Sequence, residues 1–189
     1  SYKLVNDILK LPVIAHDDLE QGSFEWHEHR AAHRNASEAG AVMECMPSWG
    51  MTRYQLYQAK MNPTITPASP PMQHGNNMEP VARQFIMDWW TRGSDDLEWI
   101  ESPCYSRGDY GASLDLVAAD NRKGWTFFEV KCPYKGLDSE LWKKASMGEI
   151  PEYYDWQMVQ QHLVSSIEFG YLFVFVDPDH TIYLPHPGF

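Results

Sequence analysis

Apolar residues recur at helical spacing through the first half of the chain, and short apolar runs bounded by turn signals dominate the second. "VNDILKL" predicts a short N-terminal helix, and "GSFEWHEHRAAH" a second, with Ser23 as N-cap before an acidic first turn. After a break at "NAS", Ser37 is placed to cap a helix over "EAGAVMECM". Thr52 and Gln55 form a capping box that opens "RYQLYQAKM". The proline-rich "NPTITPASPP" cannot continue a helix and reads as a loop. Helix resumes around "NNMEPVARQFIMDWW", with Pro80 tolerated in the first turn and a stop near Gly93.

From about residue 97 the pattern changes. "EWIESPCYS", "GASLDLVAA" and "WTFFEVKC" read as three successive strands, the last two joined by the turn "DNRKG". "SELWKKASMG" is a short helix, and "IPEYYDWQMVQQHLVSSIEFG" a long one opened by Pro151 and closed by Gly170. "YLFVFVD" is a buried strand, with "TIYLP" an edge strand behind it. No repeat interrupts this order, so residues 1–189 read as one layered α/β (α+β) domain.

Composition narrows the classes. No apolar stretch approaches the length of a membrane span and the N-terminus lacks a signal-peptide pattern, so a cytoplasmic protein with no membrane partner is expected. Cys45, Cys104 and Cys132 are too few and too scattered for a four-cysteine metal site, and they suit a reducing compartment. A formal net charge of −11 argues against holding nucleic acid by general electrostatics, while leaving room for a local basic channel. The eight tryptophans are scattered, as in a well-packed globule.

Candidate chemistry is concentrated in "FFEVKCP". On a strand, Glu129 and Lys131 share one face, and charges in so apolar a run must be paired or bind metal. A hairpin centred on residue 122 sets Asp115 opposite Glu129 and Ser113 opposite Lys131, with facing Cβ atoms about 5 Å apart. Two carboxylates so close repel unless a cation lies between them, and a hard ion such as Mg²⁺ takes oxygen ligands. Lys131 could orient or deprotonate an attacking water, or stabilise developing negative charge. The bland alternative is a solvent-facing Glu–Lys pair; the matched Asp115, the apolar flanks and Pro133 favour the metal site. "WHEHRAAH" misses the zinc-protease spacing because position 31 is Ala31. His29 and His33 remain a possible metal pair, against surface or phosphate-adjacent histidines.

Asp, then Glu-x-Lys on adjacent strands resembles the PD-(D/E)XK nuclease core, a central mixed β-sheet flanked by helices, with "SLD" standing for Pro-Asp. "EWHEHR", "NAS", "HGNNMEPVA", "GASLD", "EVKCP" and "IPEYYDWQMVQQ", in that order over residues 22–178, resemble the phage lambda exonuclease-like viral recombinase family. The resemblance implies that Asp115, Glu129 and the carbonyl of Val130 hold Mg²⁺, with Mn²⁺ able to substitute, and that Lys131 is the catalytic lysine. It implies further catalytic positions at Glu79 and Gln157, and a pocket for the DNA 5′-phosphate at Arg30, Ser37 and Ser113. Each has a plainer reading as well. Glu79 suits a helix first turn, Arg30 could pair with Glu25 or Glu28, Gln157 and Gln161 could be a solvated amide pair, and Ser37 caps a helix in any case. The implied activity is 5′→3′ degradation of one strand of linear duplex DNA, leaving 3′ overhangs for recombination. The implied partners are a second and third copy in a ring-shaped trimer and a single-strand annealing protein, in a bacterial host carrying the phage or prophage. An endonuclease on the same core and a non-catalytic DNA-end-binding protein are the alternatives. Arg30, Arg34, Arg53, Lys60 and Lys135 are candidates for a basic channel inside an acidic ring.

Overall fold

The computed structural model describes residues 2–90 and 97–189. Its first half is helical, as the spacing predicts: α1 (Tyr2–Leu9), α2 (Phe24–Ala32), α3 (Ala39–Val42), α4 (Arg53–Met61) and α5 (Pro70–Trp90), with two-residue strands β1 (Ile14–Ala15) and β2 (Arg34–Asn35) between them. The caps at Ser23 and Thr52 form as expected, Ser23 Oγ accepting the Trp26 N–H at 3.1 Å and Thr52 exchanging bonds with Gln55.

Two helix boundaries differ from the sequence reading. Ser37 caps nothing; it lies inside a single 3₁₀ turn, Ala36–Glu38. The cap residue is Asn35, whose N–H and amide both donate to the Glu38 carboxylate at 3.0 Å. Helix α5 begins ten residues before Pro80, because Pro70 and Pro71 supply the pre-set first turn instead. Pro80 therefore sits in the helix interior, where it withdraws the donor due to the Asn76 carbonyl. Both residues are exposed, so water can take its place. The expected stop at Gly93 lies outside the described residues.

The second half alternates strands and helices: β3 (Leu97–Glu101), β4 (Cys104–Arg107), β5 (Tyr110–Ser113), β6 (Leu116–Asp120), β7 (Gly124–Lys131), α6 (Glu140–Ser146), α7 (Glu152–Ser165), β8 (Phe169–Asp177) and β9 (His180–His186). The first two of the three expected strands are each broken in two. "EWIESPCYS" bends at Ser102, which takes the left-handed φ of 51°, and its halves join different sheets. One sheet has the order β3-β6-β7-β8-β9, with β7 and β8 parallel and the other pairs antiparallel; the other has the order β1-β4-β5-β2. β9 is an edge strand, as its sequence suggested.

Alternation along β7 sorts its side chains. Phe128 and Val130 pack with Ala82 and Ile86 of α5 on one face, while Phe127 packs with Met158 and Val164 of α7 on the other. Glu129 shares the α7 face, and that places it. Gly170 does not close α7, which ends at Ser165 with Ser166 left-handed at φ 60°. Gly170 is a strand residue, and a Cβ there would lie 2.6 Å from Phe127 and 2.9 Å from His162. Arg107, almost wholly buried, ties the C-terminal turn of α7 to the end of α1. It donates to the carbonyls of Leu163 (2.9 Å), Leu9 (2.6 Å) and Leu11 (3.0 Å), the natural place for a cation beside helix C-termini.

His162 is 2% exposed. Its Nδ1 donates to the Ile167 carbonyl at 2.8 Å, and its buried Nε2 has no hydrogen-bond partner. Burial pushes its pKa down, the Ile167 bond opposes that in part, and His186 adds to the lowering. The unfolded chain thus takes up a proton that the folded one resists. This contribution to stability is whole above about pH 6.5 and is lost as the pH falls below it. The urea midpoint should drop on going from about pH 7 to about pH 5, and NMR should show the His162 imidazole titrating below its ordinary range. Titration at or above that range would contradict the packing described.

Candidate active site

The site lies where β7, α7 and the turn before β6 meet. Glu129 is 2% exposed and makes three charge-assisted contacts. Gln157 Nε2 donates to its Oε1 at 2.7 Å, Gln161 Nε2 donates to its Oε2 at 2.6 Å, and the Lys131 ammonium pairs with Oε1. Gln157 and Gln161 lie one turn apart on α7, so one helix face presents both amides to the buried carboxylate. The sequence reading named Gln157 and left Gln161 as a solvated neighbour. Their four-residue spacing was the available signal. Gln161 also donates to the Ser113 carbonyl at 3.3 Å, linking Glu129 to the end of β5.

The hairpin register is the expected one from Leu116↔Phe128 to Asp120↔Gly124. One step further it stops. Asp115 does not pair with Glu129 on the ladder; it sits in the turn between β5 and β6, where its Oδ2 accepts the Val130 N–H at 2.7 Å. The side chain thus takes a bond that a ladder carbonyl would otherwise take, and the two carboxylates still converge. Ser113 is not opposite Lys131. It faces Cys104 in the second sheet, with its Oγ 3.9 Å from the Cys104 sulfur.

Electrostatics tie four charges together. Burial pushes the Asp115 carboxyl well up, the Glu129 charge pushes the same way, and Lys131 and the Val130 N–H pull against them. Burial alone would lower the Lys131 ammonium, but Glu129, Tyr154 and Asp115 outweigh it and raise its pKa. Its Nζ lies 4.9 Å from the Tyr154 ring centre. Glu79 on α5 is also raised, by burial first, against the pull of Arg83 and Lys131. Arg83, one turn on, donates to Glu79 at 3.2 Å and to the Ser102 hydroxyl. Ser102 N in turn donates to the Asp115 carbonyl at 3.1 Å, so α5 is connected to the Asp115 turn. Arg83 was not singled out from sequence. Cys132, beside these acids, is pushed up to about 12 by burial and then by Glu79 and Asp115, which leaves its thiol inert.

The acceptors that could hold a hard divalent metal here are the Asp115 and Glu129 carboxylates and the Val130 carbonyl, all oxygen. Among the described residues no three His, Cys, Asp or Glu side chains form a metal cluster, so a backbone carbonyl or water would complete the sphere. His29 and His33 stack at 4.0 Å instead of converging on an ion, and His33 Nδ1 bonds the His29 carbonyl at 2.7 Å.

Arg30 and Ser37 are brought together, Arg30 Nη2 donating to Ser37 Oγ at 2.9 Å. The guanidinium lies 4.8 Å over the Trp26 ring, and no carboxylate among the described residues forms an ion pair with it. A half-buried cation with one hydroxyl partner retains donors for an anion. Ser113 lies near by way of Cys104, whose sulfur is 3.8 Å from His29 Nδ1. Three of the other four candidate channel cations are engaged: Lys60 pairs with Glu38 at 2.9 Å, Arg53 with Glu44 at 3.4 Å, and Arg34 donates to the Tyr110 hydroxyl at 3.3 Å.

Comparison with known proteins gives a family and a fold. The family described as the YqaJ-like viral recombinase domain matches residues 25–168, which span every residue of both clusters. An alkaline exonuclease (LHK-Exo) from Laribacter hongkongensis has a crystal structure similar at a TM-score of 0.62 and 20% identity, over 87% of this chain and 82% of that one. Its crystal structure in complex with dAMP is similar at 0.61 and 20%, over 87% and 83%. At that identity the likeness is one of fold. No curated protein matches the chain in sequence.

Gln161→Leu should lower unfolding stability by about 1.5–3 kcal/mol, because it strips a donor from a buried carboxylate. Denaturant titration measures this directly. A loss within error of zero would mean that Glu129 does not depend on α7 for its solvation.

Proposed function

The chain belongs to the YqaJ-like viral recombinase family, and we propose that it is a divalent-metal-dependent nuclease degrading one strand of linear duplex DNA from its 5′ end. The observation that carries this reading is the convergence of Asp115, Glu129 and Lys131, with Gln157 and Gln161 fixing the buried carboxylate. The fold shared with an alkaline exonuclease supports exonuclease over endonuclease chemistry, and the dAMP held by that relative is the kind of product mononucleotide release would yield.

Asp115, Glu129 and the carbonyl of Val130 would hold Mg²⁺, or Mn²⁺ in its place. When bound, such an ion polarises the scissile phosphate and lowers the pKa of a coordinated water. The chain's own groups do the rest. Lys131, a cation beside Glu129, offers hydrogen bonds to the attacking water and to the phosphoryl oxygens as negative charge grows. Gln157 and Gln161 keep Glu129 from turning away, and Glu79 adds a carboxylate at the edge of the site, oriented by Arg83. Arg30, Ser37 and Ser113 would receive the 5′-phosphate, Arg30 as the charged donor and the two serines as neutral ones.

Cleavage with this polarity leaves 3′ single strands for a single-strand annealing protein. A domain of this size encircles duplex DNA only as part of a closed ring, and a homotrimer is the proposed assembly. Its working compartment would be the cytoplasm of the bacterial host; no helix among the described residues is long and apolar enough to cross a membrane.

On 5′-phosphorylated linear duplex with Mg²⁺, the wild type should release mononucleotides from the 5′ end and leave covalently closed circles intact. Lys131→Ala should reduce that rate by at least about a hundredfold while end binding survives, since the lysine acts chiefly in the transition state. Arg30→Ala should erase most of the preference for 5′-phosphate over 5′-hydroxyl ends. Cutting of closed circles would replace the exonuclease reading with an endonuclease, and near-normal turnover in Lys131→Ala would remove the lysine from the mechanism.

A further inference from the structure

Little apolar burial attaches helix α4 to the rest of the chain. It has no buried residue, and Tyr54, Tyr57 and Met61, which share one side at helical spacing, are all exposed. Two cations anchor it instead. Arg53 Nε and Nη2 donate at 3.0 and 2.7 Å to the carbonyl of Val42, the last residue of α3. Lys60 Nζ donates to the Arg30 carbonyl at 2.7 Å and to the His33 carbonyl at 2.6 Å, both at the C-terminal end of α2. It also pairs with Glu38 at 2.9 Å. Helix C-termini favour such cations, because their last carbonyls lack partners within the helix and carry the negative end of its dipole.

An ammonium has three N–H donors, and Lys60 meets three acceptors. The buried Asn35 amide donates to the same three groups: the Arg30 carbonyl at 2.7 Å, the His33 carbonyl at 3.2 Å and Glu38 Oε1 at 3.0 Å. Ammonium and amide together lock the end of α2 to the 3₁₀ turn Ala36–Glu38. Arg30 lies on the first of these segments and Ser37 on the second, and their side chains meet at 2.9 Å. Charge adds a second effect. Burial pulls the Arg30 pKa down, and Glu38 is the first influence that raises it, so this carboxylate acts on the guanidinium. Left without a counter-charge, it would draw Arg30 to itself and repel an incoming phosphate. Lys60 supplies that counter-charge.

We propose that Lys60 is a positioning residue for 5′-phosphate recognition, which holds Arg30 and Ser37 in register and keeps Glu38 from competing with the phosphate for Arg30. This inference rests on the reading of Arg30 and Ser37 as the groups that receive the phosphate. Lys60 does not bind the phosphate itself, since its three donors are engaged by protein oxygens. It acts through Arg30, from a helix more than twenty residues further along the chain. Arginine is a poor substitute at this position, because its planar fork does not match three acceptors set around a compact ammonium.

The test compares linear duplexes ending in a 5′-phosphate or a 5′-hydroxyl, by equilibrium binding without divalent metal and by steady-state release with Mg²⁺. Lys60→Met, which keeps the apolar stem, should cut the wild type's preference for phosphorylated ends about tenfold, in binding and in KM, while kcat holds. Adding Glu38→Gln should recover part of that loss, because the uncovered charge is gone. In an Arg30→Ala background, Lys60→Met should change the preference no further. Lys60→Gln, which drops the charge but keeps an amide donor, takes the place of Lys60→Met should that variant not fold. A preference that survives loss of the ammonium, or a loss that Glu38→Gln does nothing to recover, overturns the role of Lys60 and leaves the phosphate pocket standing. So does weaker binding of both kinds of end alike, which is what general loosening of the fold would give, or a loss as large without Arg30 as with it. A wild type that binds both kinds of end equally removes the pocket itself, and the role of Lys60 with it.

Discussion

A carboxylate cut off from water must find its hydrogen bonds inside the protein, and Glu129 makes that demand at the centre of the main sheet. Much of the local architecture answers it. Helix α7 buries Gln157, Gln161, His162 and Ser165 along with Met158, Leu163 and Val164. Lys131 lies against the same carboxylate, and its charge is held there by Tyr154 and Asp115 as well. The parallel pair β7–β8, with α7 as its crossover, is the frame that keeps donor and acceptor at fixed distance. An arrangement so expensive in buried polarity would be a poor way to stabilise a fold. It suits the charge site proposed above, with acids and cation positioned before any substrate would arrive.

How much of this could be read from the sequence depends on the range of the interaction. Local signals held: the caps at Ser23 and Thr52, the turn "DNRKG" and the register it imposes from Leu116 to Asp120. Glu129 and Lys131 do share a face, because alternation on a strand is a local rule. The register failed one residue beyond its last regular pair, where Asp115 offers its side chain to the Val130 N–H. Ser113 went to another sheet because the left-handed Ser102 redirects the chain, and hydroxyl residues give little warning of that conformation. Gly170 was read as a helix stop when its real constraint is the approach of Phe127 and His162, contacts that close only in three dimensions. Ser37 lost its cap role to Asn35, two residues earlier, for which Glu38 completes the box. Gln157 was named through the family resemblance, and Gln161 was hidden by its own polarity, since apolar periodicity cannot announce a helix that buries amides.

The excess of acid over base, −11 in formal charge, also reads differently beside the structure. Several cations are committed internally. Arg107 serves helix ends, Lys60 bonds the carbonyls of Arg30 and His33 at 2.7 and 2.6 Å, and Arg83 bridges Glu79 and Ser102. Arg30 differs from Lys60 and Arg83 in forming no ion pair with a carboxylate among the described residues. A half-buried guanidinium bonded to a hydroxyl would make a local, not a general, provision for anions.

Arg107 carries a further consequence, for the order in which the chain assembles. Its hydrogen bonds reach Leu9 and Leu11, 98 and 96 residues back along the chain, and Leu163, 56 residues ahead. Contacts of such sequence separation form only after long loops have closed, whereas the β6–β7 hairpin and the turns of α7 need only near neighbours. Helix α1 buries one residue, Ile8, so little besides the guanidinium holds it in place. The N-terminal helix should therefore dock late in folding and open before the central sheet does. Its amide protons should exchange with solvent long before those of the central strands do.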